Sequence, residues 1–216
     1  MSDRELLDYY GERAGEYERI YEKPERQSDL QRVRAWLRAE LADHRILEVA
    51  CGTGYWTAWL APVAATIVAT DVSTAVLSLA RQKPYPDGRV RIEIADAYSL
   101  SGVAGDFTAA FAGFWWSHVP RERQQEFLSS LGGRLGPGAR VVLLDNRFVA
   151  GSSTPIARGD RHGNTYQSRR LADGREYEVL KNFPSCTEVL AALAPLVRDL
   201  VLTEFENYWG ACYTVP

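Results

Sequence analysis

Residues 46–57, Ile-Leu-Glu-Val-Ala-Cys-Gly-Thr-Gly-Tyr-Trp-Thr, join an apolar run carrying one acid, Glu48, to a Gly-x-Gly turn at Gly52 and Gly54, and Asp71 ends a second apolar run 17 residues after Gly54. A strand that turns on glycines brings bare backbone against a ligand, and an acid at the end of the next strand is placed to take two ribose hydroxyls. This much describes any nucleoside cofactor. Two residues narrow it. Thr57 stands where the third glycine of a dinucleotide fingerprint would fall, and Glu48 would repel a pyrophosphate but favour a ligand with a positive amino-acid head. A third apolar run closes on Asp96-Ala97 and a fourth on Gly113-Phe114-Trp115-Trp116-Ser117-His118. Successive side chains diverge at such a turn, so Trp115 and Trp116 cannot both be buried, and one is free to face a ligand. An aromatic face attracts a cation by roughly 0.5–2 kcal/mol. His118, with an ordinary pKa of about 6.5, suits proton abstraction.

The elements that must position these residues follow from hydrophobic spacing. Helices are predicted at 3–23 and 28–42, split near Pro24, the second opening on a Ser28-Asp29-Leu30-Gln31 capping box and carrying Leu30, Val33, Trp36, Leu37 and Leu41 at helical spacing. Beyond them, strands are expected at 45–50, 65–70, 90–95, 107–113 and 139–145, and helices at 54–61, 73–82, 120–134 and 186–197. Such alternation builds a parallel sheet with helices on both faces. Runs 199–205 and 208–215 are joined by Glu206-Asn207 alone, too short for a crossover, so they must pair antiparallel. Residues 147–184 interrupt the alternation. They contain a hairpin signal, Asp173-Gly174 between 165–171 and 175–181, and precede a second capping box, Ser185-Cys186-Thr187-Glu188.

The four landmarks, in order over residues 9–145, resemble the class I, Rossmann-type S-adenosylmethionine-dependent methyltransferases, in particular their small-molecule members, whose first motif has the form Glu/Asp-x-Gly-x-Gly-x. The resemblance implies an α/β fold with a seven-stranded, mostly parallel sheet, last strand antiparallel, and a hairpin insertion after strand five. It implies S-adenosylmethionine as cofactor and S-adenosylhomocysteine as product. Glu48, Ala50, Gly52 and Gly54 would then lie at the methionyl part, Asp71 at the ribose, Val72 on the adenine, and Asp96 and Ala97 at the adenine amino group and ring nitrogen. Phe114, Trp115, Trp116 and His118 would line the space between sulfonium and acceptor, with Trp116 and His118 in the catalytic position, His118 either as base or as a positioning residue. The segment Asp8-Tyr9-Tyr10 to Tyr17 resembles the helix that folds over the cofactor, which implies a cofactor contact for Tyr17 and an acceptor contact for Tyr10 on the same face. Asp145-Asn146 is similar to part of the metal site of catechol-type members, but the Trp pair stands where that site needs a carboxylate, so no metal is expected. An Asn-Pro-Pro-Tyr motif for nucleobase nitrogen is absent.

Composition sets the frame for that site. At 216 residues, 46% hydrophobic and 25% charged, the chain suits one domain, with 1–42 as a helical cap and 147–184 as a lid-like insertion. A net charge of −3 argues against a nucleic-acid partner. No apolar run reaches membrane-spanning length, the first residues do not form a leader, and three widely spaced cysteines fit a reducing cytoplasm. A small-molecule acceptor is the expected partner. In the insertion, Arg147, Arg158, Arg161, Arg169, Arg170 and Lys181 accompany Tyr166 and Tyr177, which reads either as solvated hairpin charge or as a grip on a carboxylate or phosphate, with Arg147, Tyr166 and Arg169 as acceptor contacts. The scarcity of lysine, at 23, 83 and 181 only, reads as coding bias. Oxygen, nitrogen, sulfur and carbon acceptors are all compatible with these residues, as is any oligomeric state. Two competing functions are a methyltransferase-fold module that binds the cofactor without catalysis and a nicotinamide-dependent reductase, the latter opposed by Glu48 and Thr57.

Overall fold

The computed structural model describes residues 14–170 and 173–216. Strand β1 (Arg45–Val49) is buried at every position after the first, which is what an apolar run needs to sit mid-sheet with both faces covered. Strands β2 (Thr66–Asp71), β3 (Val90–Ile94), β4 (Ala109–Gly113) and β5 (Arg140–Asn146) join it in parallel. The three-residue link Phe205-Glu206-Asn207 turns β9 (Arg198–Glu204) into β10 (Tyr208–Thr214), which pairs antiparallel with both β9 and β5. The seven strands lie in the order β3-β2-β1-β4-β5-β10-β9. Winding reverses between β1 and β4, and that reversal opens a crevice at their carboxyl ends.

Alternation along the strands sends side chains to two cores. Ile46, Ile67, Phe111, Val142 and Leu144 meet helices α1 (Gln27–Leu41) and α2 (Tyr55–Leu60) through Leu30, Val33, Leu37, Leu41, Trp56 and Leu60. Leu47, Val49, Ala110, Ala112, Val141 and Leu143 meet α4 (Gln124–Leu135) and α5 (Cys186–Leu193) through Phe127, Leu131, Val189 and Leu193. Helix α3 (Thr74–Ala80) follows β2. Glu48 shares the Ile46 face by period two, so an acid points into an apolar layer under α2.

The insertion forms its own antiparallel sheet of β6 (Arg158–Gly159), β7 (Thr165–Arg170) and β8 (Glu176–Leu180), with the hairpin where Asp173-Gly174 predicts it. Its last residues dock on the turn after β4: Asn182 N donates to Ser117 O at 2.8 Å, and Asn182 Nδ2 to Val119 O at 3.3 Å. The Ser185–Glu188 capping box forms. The one expected at Ser28 does not. Helix α1 begins a residue earlier with Arg26 at its N-cap and no side-chain cap, because the buried Asp29 carboxylate accepts instead from Glu206 N and Asn207 N and holds the β9–β10 link. Before α1 the described chain is a 3-10 helix, Ala14–Tyr21, and a 3-10 turn, Pro24–Arg26; the rest of the predicted first helix lies outside the described residues. Among the described residues no helix is long and apolar enough to cross a membrane.

Candidate active site

At the end of β1 the chain turns through Ala50, Gly52 and Gly54, all with positive φ (54°, 57° and 75°). Cys51 N donates to Thr70 O at 2.9 Å and Gly52 N to Asp71 Oδ2 at 3.0 Å, which ties the loop to β2. A Cβ on Gly52 would meet nothing within 4 Å, so its backbone fronts open space of the kind a ligand fills. Gly54 has a different reason to lack a Cβ: one there would strike the Tyr85 hydroxyl and press to 3.1 Å from Ala80 Cβ, so close packing of α3 is what it permits. Asp71 is held ready, with Oδ1 accepting from Ser73 N at 2.9 Å and burial raising its pKa. Beside it Val72 is 41% and Ile94 57% exposed, an uncovered apolar shelf at the ends of two paired strands. Asp96 Oδ1 caps the following turn through Tyr98 N and Ser99 N, with Ala97 buried next to it.

Beneath the loop Glu48 is 1% exposed, and desolvation lifts its pKa to about 8. Thr57 lies near enough to pull that value down, yet among the described residues Glu48 Oε2, Thr57 Oγ1 and Tyr85 Oη all lack a hydrogen-bond partner. Three orphaned polar groups under an open backbone cradle match a ligand whose amino-acid head carries both charge and donors.

A pocket of about 710 Å³, mouth included, adjoins the ends of β4 and β5; its walls include Ile20, Lys23, Arg26, Phe114, His118, Asn146, Arg169 and Phe183. Phe114, one of its walls, belongs to an aromatic group with Tyr21, Tyr55 and Trp56, in which Tyr21 stacks on Tyr55 at 3.8 Å and Phe114 on Trp56 at 5.9 Å. Lys23 Nζ donates to Ser152 O at 2.7 Å, Arg26 to Ser152 Oγ and Asn146 Oδ1, and Arg169 to Gln167 Oε1 at 2.5 Å. No carboxylate pairs with any of these three cations among the described residues. A fourth, Lys181, is paired: its Nζ reaches Asp145 Oδ1 at 3.3 Å. His118 is buried and gives its Nδ1–H to Leu180 O at 2.7 Å, since a carbonyl can only accept. Burial first, and then the Lys181 charge, hold its pKa well below the usual imidazole value.

Residues 46–138 match the family described as methyltransferase domain. Methyltransferase GfsG of Streptomyces halstedii is 30% identical over 151 residues, 68% of this chain and 52% of that protein. Demethylmenaquinone methyltransferase of Clavibacter sepedonicus is 36% identical over 109 residues, 50% and 43% of the two. The chain thus spans about half the length of the curated relatives it matches. Among solved structures, a DhpI–SAH complex superposes with a TM-score of 0.80 at 26% identity over 98% of this chain and 96% of that one. A DhpI–SAM–HEP complex gives 0.79 at 25% over 99% of both. Residues 46–138 belong to the methyltransferase-domain family, and the whole chain takes the fold of the S-adenosylmethionine-dependent methyltransferases. S-adenosylmethionine is its cofactor, and the open cradle at Gly52 with the orphaned Glu48 oxygen fits that molecule's methionyl part.

In this methyltransferase the residues expected at the cofactor from sequence gather around one crevice, whereas those expected at the acceptor divide. Phe114, His118 and Arg169 line the pocket. Trp116 does not: it is 1% exposed and packs on Phe127 in the α4 core. Trp115 turns to Tyr98 and Phe127 on that same side, with its Nε1 unpartnered. The reason lies in the backbone, for Phe114 has φ 62° and swings the next residues away from the crevice. Arg147 pairs with Glu204 at 3.4 Å and donates to Phe205 O, away from the pocket. Tyr166 bonds Asp160 and lies under Arg158 within the small sheet. Tyr10 and the side chain of Tyr17 lie outside the described residues. Sequence reasoning missed Lys23, Arg26 and Asn146. A signal for the first was available, since two of only three lysines, Lys23 and Lys181, stand at this pocket. The Asp145 carboxylate, which a catechol-type site would offer to a metal, is occupied by Lys181 and by Ser117 N at 2.8 Å. Among the described residues no group of three or more His, Cys, Asp or Glu could hold a metal.

Proposed function

We propose that this chain transfers the methyl group of S-adenosylmethionine to a small anionic molecule held between residues 20–26 and the insertion. Charge balance carries the reading. Lys23, Arg26 and Arg169 face one pocket with no direct ion pair to a carboxylate among the described residues, Glu25 acting on Lys23 and Arg26 only from the exposed side of the same turn, and Arg26 is only 7% exposed. Burying like charges together costs stability, and the cost is visible in Lys23, whose pKa is lowered by burial and then by Arg26. A ligand with two negative charges would offset it, each charged hydrogen bond contributing about 1.5–3 kcal/mol. The solved DhpI complex that carries SAM and HEP together supports room for cofactor and a further molecule in a chain of this shape.

When bound, the cofactor supplies an electrophilic methyl group. The chain's contribution is placement: Phe114 and the aromatic group exclude water beside the pocket, the cations orient the anion, and His118 offers an imidazole that its surroundings keep neutral. The test is transfer of labelled methyl to a panel of anionic, neutral and cationic metabolites, with thermal shifts for S-adenosylmethionine, S-adenosylhomocysteine, NAD and inorganic phosphate. Transfer to anions, with Arg26→Ala raising the Michaelis constant about tenfold or more, is the expected result. Transfer confined to neutral or cationic acceptors would overturn it; stabilisation by NAD alone would return the chain to the reductase reading.

A further inference from the structure

Leu180, the last residue of β8, and the two that follow it bond three consecutive residues of the turn after β4. Leu180 O accepts from His118 Nδ1, Lys181 Nζ donates to Ser117 Oγ at 2.5 Å, and Asn182 reaches Ser117 O and Val119 O. Under this seam lies Asp145, wholly buried, whose Oδ2 takes Ser117 N while Oδ1 takes Lys181 Nζ at 3.3 Å and Asn146 N at 2.7 Å. One carboxylate therefore fixes the residue before His118 and also Asn146, which is itself a pocket wall. A buried ion pair of this kind adds little net stability, because desolvating both charges costs about what their attraction returns; what it can add is a single arrangement in place of several.

We propose that Lys181 is a positioning residue that, through Asp145 and Ser117, locks the turn and the insertion in the one register that sets His118 in its Nδ1–H tautomer at the pocket. The geometry separates this role from anion binding. The three cations assigned to the anion, Lys23, Arg26 and Arg169, have neutral hydrogen-bond partners, whereas the Lys181 charge is already answered by Asp145. The proposal uses the pocket described above, but its signature needs neither acceptor nor turnover.

The experiment labels the three histidines, His44, His118 and His162, with nitrogen-15 and follows the His118 ring by nuclear magnetic resonance at one fixed pH, in the parent, in Lys181→Arg, and in the charge-neutral pair Lys181→Met/Asp145→Asn. Lys181→Arg keeps a cation against Asp145, so its folding does not hinge on an unpaired buried acid; the double variant removes both charges. In the parent a protected Nδ1–H resonance is expected. In either variant that retains the parent's circular dichroism, that resonance should be lost or should exchange about tenfold faster or more. Calorimetry with inorganic phosphate runs alongside. Phosphate affinity should change less than about threefold in Lys181→Arg and fall about tenfold or more in Arg26→Ala. A Lys181→Arg protein with an unchanged His118 resonance overturns the proposal, and one that also loses phosphate as Arg26→Ala does makes Lys181 an anion ligand. Should the parent bind no phosphate while the His118 signature moves as expected, the anionic-acceptor reading fails and the positioning role stands.

Discussion

Neutralising Glu48 is the perturbation whose consequence can be worked through most fully. Its carboxyl sits 1% exposed, one oxygen without a partner, with a pKa raised to about 8 by burial. At pH 7 the free protein therefore holds this proton in about nine molecules of ten. A cofactor with an ammonium and a sulfonium favours the ionised form, so binding at pH 7 should release up to about 0.9 proton from this one group. Affinity should rise close to tenfold per pH unit between about pH 5 and 8, or about 1.4 kcal/mol per unit, and level off above. The sign for stability is opposite. The unfolded acid ionises near pH 4.5 and the folded one near 8, so the unfolded state gains from rising pH across that interval and the free protein loses stability until about pH 8. Calorimetry of S-adenosylhomocysteine binding in two buffers of different ionisation enthalpy counts the protons, and Glu48→Gln supplies the comparison. An equal count in parent and variant, or an affinity flat from pH 5 to 8, would refute the claim that Glu48 faces the cofactor's head.

Asp71→Ala should weaken S-adenosylhomocysteine by about tenfold or more in calorimetry, because two charged hydrogen bonds to the ribose are lost, and Gly52→Val should do so by filling the open side of the loop; unchanged affinity in both would move the cofactor off the β1–β2 crevice. Arg26→Ala and Arg147→Ala should differ, the first raising the Michaelis constant for the anion and the second leaving it alone, since Arg147 is spent on Glu204 and Phe205; equal effects in steady-state kinetics would mean that the unpaired cations are not the anion's seat. His118 is held neutral, and the sign follows from its lowered pKa: the unfolded imidazole takes a proton near pH 6.5 while the folded one resists, so stability present above about pH 6.5 is lost as pH falls, by up to about 1.4 kcal/mol per unit. Denaturant titrations from pH 7 to 5 should show that loss in the parent and less of it in His118→Gln.

The candidate cofactor half of the site could be proposed from sequence because the residues that suggest it are local. A β-branched run, a glycine turn and an acid at the next strand's end are each read within a few residues, and the sheet then aligns Val49 with Thr70 and Asp71 with Ile94, so neighbouring strand ends must meet. The proposed acceptor half draws one wall from residues 20–26, another from 146–154 and a third from 167–183, and which side chains converge depends on how the insertion docks. Two one-residue differences show why spacing alone could not settle it. Asn146 faces the pocket and Arg147, next in the chain, turns to β9, so an arginine count over the insertion selects the wrong guanidinium. Phe114 adopts a left-handed backbone that no residue type at that position demands, and the Trp pair leaves the crevice for the core as a result. Charge balance is the property that recovers the site once the fold is known. Arg45, Arg121, Arg123, Arg140, Arg147, Arg158 and Arg175 each form an ion pair with an acid, whereas among the described residues the pocket cations Lys23, Arg26 and Arg169 form none, and Glu25 reaches the first two only electrostatically. A buried guanidinium whose partners among the described residues are a serine, an asparagine and the face of Tyr208 is costly unless something negative arrives, which is why Arg26, silent in the sequence, points to the proposed acceptor site.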